Sequence, residues 1–550
     1  MNTCKVAQSV RGRIAVVLLS GIIVLGAGES ANARAPLSYH FERICTGLRI
    51  GGAECAGLAR RPRPLTVSQA GGQVERTAED APTDGSTSVL FKHPLSGALS
   101  PQAIQTAYAL PTATTSSALQ TIAVVDAYDD PSAESDLRVY DKQYGLPPCT
   151  TANGCFRKVN EEGDEGPLPP TEGAWAAEIS ADIQISHAIC QPCRILLVEA
   201  KSEEFSDLGT AVNTAVAAGA TEVNNSYESE GEEGSVATML NAMYYDHPGV
   251  VITASAGDCG YLGEKCEADG VSFPASSPDV VAVGATAIAE SEGTWISRVW
   301  SGTGGGCSTV FAAPPWQYLL ANWAHTGCGT ARLVADVSAV GAPETGVSVY
   351  DSTPFSTNTP ARGWGADAGT SVSTPIVTGE FALDGGSHGV DYPARTLYSH
   401  VGDIHALYDV RIGANGLCGQ SSACSADRGY DGPSGVGSPV GLAAFAVVGS
   451  PADVVPPSIV GAPEEGQVLV ATHGKWSRNP NGYSYRWARC ERRGGDCQPI
   501  PGATAPSYTV VLADVGATLR VQETASNASG EGAPAISNPT ALVTKIRGGG

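Results

Sequence analysis

The sequence predicts an α/β domain with a parallel sheet covered by helices on both faces, followed by a small all-β sandwich. Apolar runs rich in β-branched residues alternate with helical stretches between residues 99 and 449. After Pro456-Pro457 the pattern changes to short alternating strands separated by Gly, Pro and Asn turns. The chain has 550 residues and is 42% apolar, enough for more than one hydrophobic core and too much for a disordered chain.

Each segment has its own reason. Lys5, Arg11 and Arg13 precede an apolar run from Ile14 to about Gly28, and Ala31-Asn32-Ala33 offers small residues for cleavage before Arg34. This reads as an export signal over residues 1–33, an uncleaved anchor being the alternative. The run is shorter than the ~20 residues a membrane span needs, so the expected product is soluble and extracellular. Residues 34–98, polar and punctuated by Pro, Gly and Arg-Arg, read as a short N-terminal extension or pro-segment. In the 99–449 domain the expected strands are 121–127, 194–200, 222–226 and 250–255, and the expected helices 172–189, 208–218 and 236–245. In such folds chemistry gathers outside the carboxyl ends of the strands. Residues 450–457 are a Pro-rich linker. Residues 458–545 carry QVLVATHGKW, YSYRWARC and PSYTVVLADVGATLRVQETASN, with Trp487, Cys490 and Cys497 inside, the pattern of a single β-sandwich of immunoglobulin-like type. Residues 546–550 read as a flexible tail.

The formal net charge is −23, and no basic run or aromatic-basic patch occurs, so nucleic acid is not an expected partner. Of 15 cysteines, Cys4 leaves with the signal. The rest fall into local couples: Cys45/Cys55, Cys149/Cys155, Cys190/Cys193, Cys259/Cys266, Cys307/Cys328, Cys418/Cys424 and Cys490/Cys497. Their proximity implies short-range disulfides in an oxidising compartment.

Three motifs could carry chemistry. In Gly369-Thr370-Ser371-Val372-Ser373-Thr374-Pro375 a serine between small residues opens an apolar helix, whose N-terminus favours developing negative charge. The plain alternative is a capped helix after a Gly-rich loop. A serine nucleophile needs a base. Glu178 and Asp182, four residues apart on an expected helix, share one face, and confined carboxyls tend to share a proton. A solvated helix face is the alternative, opposed by the apolar neighbours Ile179, Ile183 and Ile185. Finally, a buried strand ends in Ala256-Gly257-Asp258, where a neutral Asp258 could donate to a developing oxyanion; its plain role is a turn residue.

Together ExxxD, SAGD and GTSxxxP, in that order, resemble the sedolisin (serine-carboxyl peptidase) family over roughly residues 99–448, supported by ISHAICQPCRILLVEA, SPDVVAVGATAI and ADVSAVGAPETGVSVYD. The resemblance implies a subtilisin-like α/β fold and hydrolysis of protein or peptide substrates at acidic pH. It implies Ser371 as nucleophile, Glu178 as base, Asp182 as the residue that orients and protonates Glu178, and Asp258 as the oxyanion-hole acid. It also implies a calcium (Ca2+) loop, with carboxylates from Asp409 and Asp431 and backbone carbonyls from Val410, Asp427 and Gly429. Two carboxylates plus carbonyls suit a hard, oxygen-seeking cation, while an ordinary Asp/Gly surface turn is the alternative. Departures from the family pattern are the missing large pro-domain, Glu228 in place of a Gly after Ser226-Tyr227, Asp427 in place of a Gly, and Arg411 in place of a Thr.

Two rival readings compete. A subtilisin-type triad would use Asp126, His187 and Ser371, but His187 is followed by Ala188 rather than the Gly that opens the subtilisin His helix, and nine residues after Glu178 it reads instead as a packed or half-exposed histidine. A non-catalytic surface protein would use a dead peptidase domain and a sandwich bound to a cell wall or protein. No membrane contact is expected after signal removal, and the chain is read as a monomer.

Overall fold

The computed structural model describes residues 39–43, 52–55, 58–62, 90–111 and 120–545, except 230, 233, 267–269, 292, 355–361, 420, 448, 479, 481 and 528–529. The expected signal (1–33) and tail (546–550) lie outside the described residues.

An eight-stranded sheet forms the centre of the α/β domain. Its order is Thr294–Val299, Val281–Ser291, Val251–Ser255, Glu222–Asn225, Thr121–Ala127, Arg194–Ala200 and Phe156–Asn160, with Val337–Val340 also pairing Val281–Ser291. All these pairings are parallel except that of Thr294–Val299. Parallel strands need both faces covered, and successive side chains alternate between them. Ile122 and Val124 join one core cluster with Ile179, Ile183, Val372 and Ile376. Ala123, Val125 and Ala127 join the other, with Leu208, Ala211 and Val212. Helices Gly173–Ile189 and Thr370–Asp384 thus share one face of the sheet, and Phe205–Ala217 covers the other.

Local chemistry sets the helix ends. Glu172 caps the Gly173–Ile189 helix by accepting from the amides of Ala174 and Trp175, each at 2.9 Å. The helix expected at 236–245 runs α-helical over Gly234–Leu240 and continues as one wide turn over Asn241–Tyr245. The expected 222–226 strand divides into Glu222–Asn225 and Tyr227–Glu228, and the latter turns away to pair with Glu54–Cys55.

Part of the N-terminal extension is built into this domain. Leu58–Pro62 lies between Tyr39–Arg43 and Arg362–Ala368 in a second sheet, which Val347–Asp351 and Leu90–Phe91 complete. The described disulfides are Cys149–Cys155, Cys190–Cys193, Cys259–Cys266, Cys307–Cys328, Cys418–Cys424 and Cys490–Cys497. Cys55 is also disulfide-bonded, while Cys45 lies outside the described residues.

From Asp453 onward the regular structure is all β, apart from one short 3-10 turn at Leu512–Asp514. Leu469, Trp487, Val510, Leu519 and Val521 form its core. The Cys490–Cys497 bridge closes a local loop beside the Gly482–Cys490 strand rather than joining two sheets.

The two helices on the shared face approach closely at Gly379, where a Cβ would stand 2.7 Å from Cβ and Cγ2 of Ile189. Gly379→Ala therefore forces the helices apart. It should cost about 1–3 kcal/mol, as overpacking does, measured by denaturant unfolding. Unchanged stability would show that this contact yields freely.

Candidate active site

Ser371 is the second residue of the Thr370–Asp384 helix, whose N-cap is Gly369. Pro375 has no N–H, so the Ser371 carbonyl lacks the usual donor four residues on. The Ser226 hydroxyl lies 3.3 Å from that carbonyl and takes the donor's place.

Glu178 and Asp182, both fully buried, come from the neighbouring helix. Burial, and then the charge of Asp182, push the Glu178 carboxyl well above the usual carboxylate range; the Ser371 hydroxyl pulls it down, and Asp367 and Asp258 add to the rise. Neither Glu178 oxygen makes a hydrogen bond of full geometry, so its contact with Ser371 is a close electrostatic one rather than a closed bond. For the same reason no hydrogen bond joins Glu178 to Asp182. The expectation that Asp182 protonates Glu178 directly has no bond behind it here, and the two carboxyls communicate through charge. Asp182 is held instead by Asn224 Nδ2, which donates to Oδ2 at 2.6 Å, and by Ser226 Oγ, 2.8 Å from Oδ1. Burial and Asp126 raise the Asp182 carboxyl, while Ser226 and Asn224 lower it.

Asp126 brings a third carboxyl to the group. In its strand it shares a face with Ile122 and Val124, which pack toward the Gly173–Ile189 helix. It is fully buried, and neither oxygen has a hydrogen-bond partner. Burial, and then Glu178 and Glu199, raise its pKa well above the ordinary value. The alternation that puts Val223 in the opposite core puts Asn224 on this face. That alternation was the available sequence signal for Asn224.

Asp258 is placed by the helix that carries Ser371. Its Oδ1 accepts from the Thr370 amide at 2.8 Å and the Thr370 hydroxyl at 2.9 Å. With Oδ1 taken by two donors, a proton on Asp258 belongs on Oδ2. The amide of Asp258 donates to Glu228 Oε2 at 3.0 Å. Gly257 makes room for that carboxylate, since a Cβ there would lie 2.2 Å from Glu228 Oε2. Glu228, noted in the sequence only as a departure, thus supports the Asp258 turn from behind.

His187 does not join this group. It lies at the far end of its helix, beside the Cys149–Cys155 disulfide, with Nε2 donating to the Pro147 carbonyl at 2.9 Å. Burial lowers its pKa, leaving a neutral, packed imidazole. The Asp126–His187–Ser371 reading is therefore not assembled.

The residues of the expected calcium loop do come together. Asp409 Oδ1 accepts from the Gly429 amide at 3.1 Å. Asp431 Oδ2 accepts from the Asp427 amide at 3.0 Å, and Oδ1 from the Ser434 amide and hydroxyl at 2.9 and 2.8 Å. Among the described residues, no backbone N–H donates to the carbonyls of Val410, Asp427 or Gly429. Two carboxylates beside three unclaimed carbonyls fit a hard cation. Arg411, which pairs with Asp409 Oδ2 through Nε and Nη2 at 2.7 Å each, is a competing cation at the rim.

The Subtilase family model matches residues 174–384. Kumamolisin of Bacillus sp. (strain MN-32) is 31% identical over 48% of this chain and 49% of its own length. Sedolisin of Pseudomonas sp. (strain 101) is 32% identical over 30% of this chain and 28% of its own. The chain therefore spans about half or less of the relatives it matches. A solved structure of Pseudomonas sedolisin with two molecules of pseudo-iodotyrostatin is 23% identical, covers 62% of this chain and 95% of that one, and has a TM-score of 0.49.

Several buried carboxyls lie outside this group. Glu380 is fully buried with neither oxygen bonded, and burial raises its pKa well above the ordinary value. Burial raises Glu222 to about 8. A carboxyl whose folded pKa exceeds its unfolded value, about 4.3, holds its proton more tightly when folded. The resulting stability is complete below about pH 4 and is lost as pH rises through the folded pKa. The melting temperature should accordingly fall between pH 5 and pH 8, and Glu380→Gln should flatten part of that slope. A profile rising over this window would contradict the buried-acid account.

Proposed function

We propose that this chain, which is similar to kumamolisin and sedolisin over part of its length, is a secreted endopeptidase that cleaves peptide bonds at acidic pH through Ser371. The observation that carries the reading is the Ser371 hydroxyl beside a fully buried Glu178 that shares its confinement with Asp182 and Asp126.

Carboxyls crowded out of water cannot all ionise, so the group takes up charge one step at a time. Glu178 is the member whose ionised form the serine hydroxyl favours. A raised pKa makes its carboxylate a stronger base than one in water. In the proposed reaction Glu178 takes the Ser371 proton as Oγ attacks the peptide carbonyl. The oxyanion lies at the N-terminus of the Ser371 helix and accepts a hydrogen bond from Oδ2–H of neutral Asp258. The C–N bond breaks as Glu178 returns its proton to the leaving amine. Water then enters, gives a proton to Glu178 and attacks the acyl-enzyme; the C–Oγ ester bond breaks, the acid product leaves, and Glu178 returns its proton to Ser371 Oγ. Asp182, held by Asn224 and Ser226, keeps its proton so that the charge falls on Glu178. A carboxylic acid donates only while protonated, which gives the acidic working range.

We assign a calcium ion to Asp409 and Asp431 with the carbonyls of Val410, Asp427 and Gly429, where it would neutralise the paired carboxylates and tie the 409–431 loop together. The sandwich is a spacer or a surface-binding module.

Ser371→Ala should remove activity on a denatured protein substrate by on the order of 10⁶-fold, with folding intact by circular dichroism. Glu178→Gln should also inactivate, while His187→Ala should leave the pH profile unchanged. Asp258→Ala should cost on the order of 10²–10³ in kcat. Asp258→Asn, which donates without a titrating proton, should extend activity to higher pH. Activity that survives Glu178→Gln but not His187→Ala would refute the carboxyl mechanism. No activity at any pH would favour the non-catalytic reading.

Removing calcium with a chelator should lower the melting temperature, because a ligand held at 100 times its Kd contributes about 2.7 kcal/mol. Asp431→Asn should abolish that difference. Equal melting with and without chelator in the unaltered chain would sink the assignment.

A further inference from the structure

We propose that Lys158 is a positioning residue for the base: its ammonium, at the far end of a buried carboxyl row, stabilises the one negative charge that Glu178 needs in order to act; this rests on the peptidase reading above. The row is built by strand register. Asp126 pairs with Glu199 across the parallel Thr121–Ala127 and Arg194–Ala200 strands, and Asn160 of the edge strand Phe156–Asn160 pairs with Glu199 from the other side. Paired residues of neighbouring strands, about 4.8 Å apart, point to the same face. Phe156, Ile195 and Leu197 lie in the core cluster that holds Ile122 and Val124, so Lys158, Glu199 and Asp126 all face the Gly173–Ile189 helix. Asp126, Glu178 and Glu199 are fully buried. Both oxygens of Asp126 and Glu178, and Oε2 of Glu199, have no hydrogen-bond partner.

A lysine on an edge strand ordinarily stands out in water. Lys158 turns inward instead, with its side chain only 18% exposed. An ammonium has three hydrogens, and three acceptors surround this one: Glu199 Oε1 at 3.0 Å, the Asp130 carbonyl at 2.8 Å and the Asp129 carboxylate. The Asp130 amide donates to the same Glu199 Oε1 at 3.0 Å. The Asp130 carboxyl accepts from the hydroxyls of Thr353 at 2.9 Å and of Ser180, on the helix that carries Glu178, at 3.2 Å. The ammonium is thus fixed to the sheet and, through Asp130, to the helix of the base. Burial lowers Lys158, but Glu199 and Asp129 outweigh it, and the ammonium keeps its charge. Burial raises Glu199 to about 8 against the pull of Lys158, so at acidic pH Glu199 is neutral and does not cancel that charge. The other groups that act on Asp126 and Glu178 are Asp182, Asp258, Asp367 and the Tyr227 phenol, none of them cationic. Crowded acids ionise one at a time, and a cation at the end of the row favours the first ionisation. Asp129, paired with Lys158, offsets part of that effect.

The pH dependence of kcat/KM reports the ionisation of the base in the free enzyme. On a denatured protein substrate, Lys158→Met should move the acid limb of the full chain to higher pH by about half a unit or more. Asp129→Asn leaves the ammonium less compensated and should move the limb to lower pH. Lys158→Arg keeps the charge and should stay at the wild-type limb. A merely structural role would lower activity in both charge-removing variants without moving their limbs in opposite directions. Carbon-13 NMR of the glutamate carboxyls in the Ser371→Ala chain reads the same ionisation without catalysis, the Glu178 signal being the one lost when Glu178→Gln is added. Its midpoint should shift with the same signs. If Lys158→Met does not fold, Asp129→Asn and Lys158→Arg decide, and an unmoved limb and midpoint in Asp129→Asn overturn the proposal. Shifts of one sign in Lys158→Met and Asp129→Asn, or none in either, also overturn it, and with acidic cleavage by the wild type they leave the peptidase reading standing. Opposite midpoint shifts in a chain whose wild type is inert at every pH support the role of Lys158 and sink the peptidase reading.

Discussion

The domain is organised around carboxyl groups taken out of water. Asp126, Glu178 and Asp182 lie fully buried between the sheet and the two helices on one of its faces. Burying one ionised carboxylate is costly, and burying three together is prohibitive, so the surroundings must supply polar contacts and leave protons in place. The sheet face meets this with polar residues where apolar ones would otherwise pack. Asn224 holds Asp182, Thr253 meets Thr378 at 2.6 Å, and Ser255 meets Thr374 at 3.0 Å. Along the Ser371 helix, Thr374 and Thr378 return their hydroxyls to the carbonyls four residues back, each at 2.7 Å. That pattern lets hydroxyl-bearing residues sit inside a buried helix without orphaned donors. Gly379 then lets this helix approach the Glu178 helix at Ile189.

The parts of this arrangement legible in the sequence are those set by local pattern. The 121–127 and 194–200 runs are continuously apolar because both faces of a parallel sheet are covered, and both form strands at those limits. The Glu178–Asp182 spacing announces a shared helix face, and the apolar neighbours announce its burial. What the sequence hides is pairing over distance. Thr370 reaches Asp258 across 112 positions, and Ser226 reaches Asp182 across 44. No local periodicity records such contacts. Asn224 and Asp126 were recoverable in principle, because the alternation that puts Val223, Ala123 and Val125 in the opposite core assigns them to the face that meets Glu178 and Asp182. The distant pairings of the N-terminal extension were not recoverable. Its strands are two and five residues long, and they are fixed by edges more than 170 positions away. His187 is the opposite case, since nine residues along one helix from Glu178 is about two and a half turns, and that spacing already reads as a packed histidine of the kind found beside Pro147.

Ser226 couples the carboxyl group to Ser371 through its single hydrogen. Asn224 Nδ2 has two hydrogens, one directed to Asp182 Oδ2 and one to Ser226 Oγ, at 2.6 and 2.9 Å. Ser226 has a single hydrogen and two oxygens within reach, Asp182 Oδ1 at 2.8 Å and the Ser371 carbonyl at 3.3 Å. If Asp182 carries its proton on Oδ1, it donates to Ser226, and Ser226 passes its own hydrogen to the Ser371 carbonyl. Every donor and acceptor in the chain is then matched. If Asp182 is ionised, Ser226 must turn toward it, and the carbonyl freed by Pro375 loses this donor. Burial and the neighbouring Asp126 both favour the protonated form. The neutral Asp182 is therefore the same state that secures the first turn of the Ser371 helix, and ionising it would loosen that turn as well as add a charge beside Glu178.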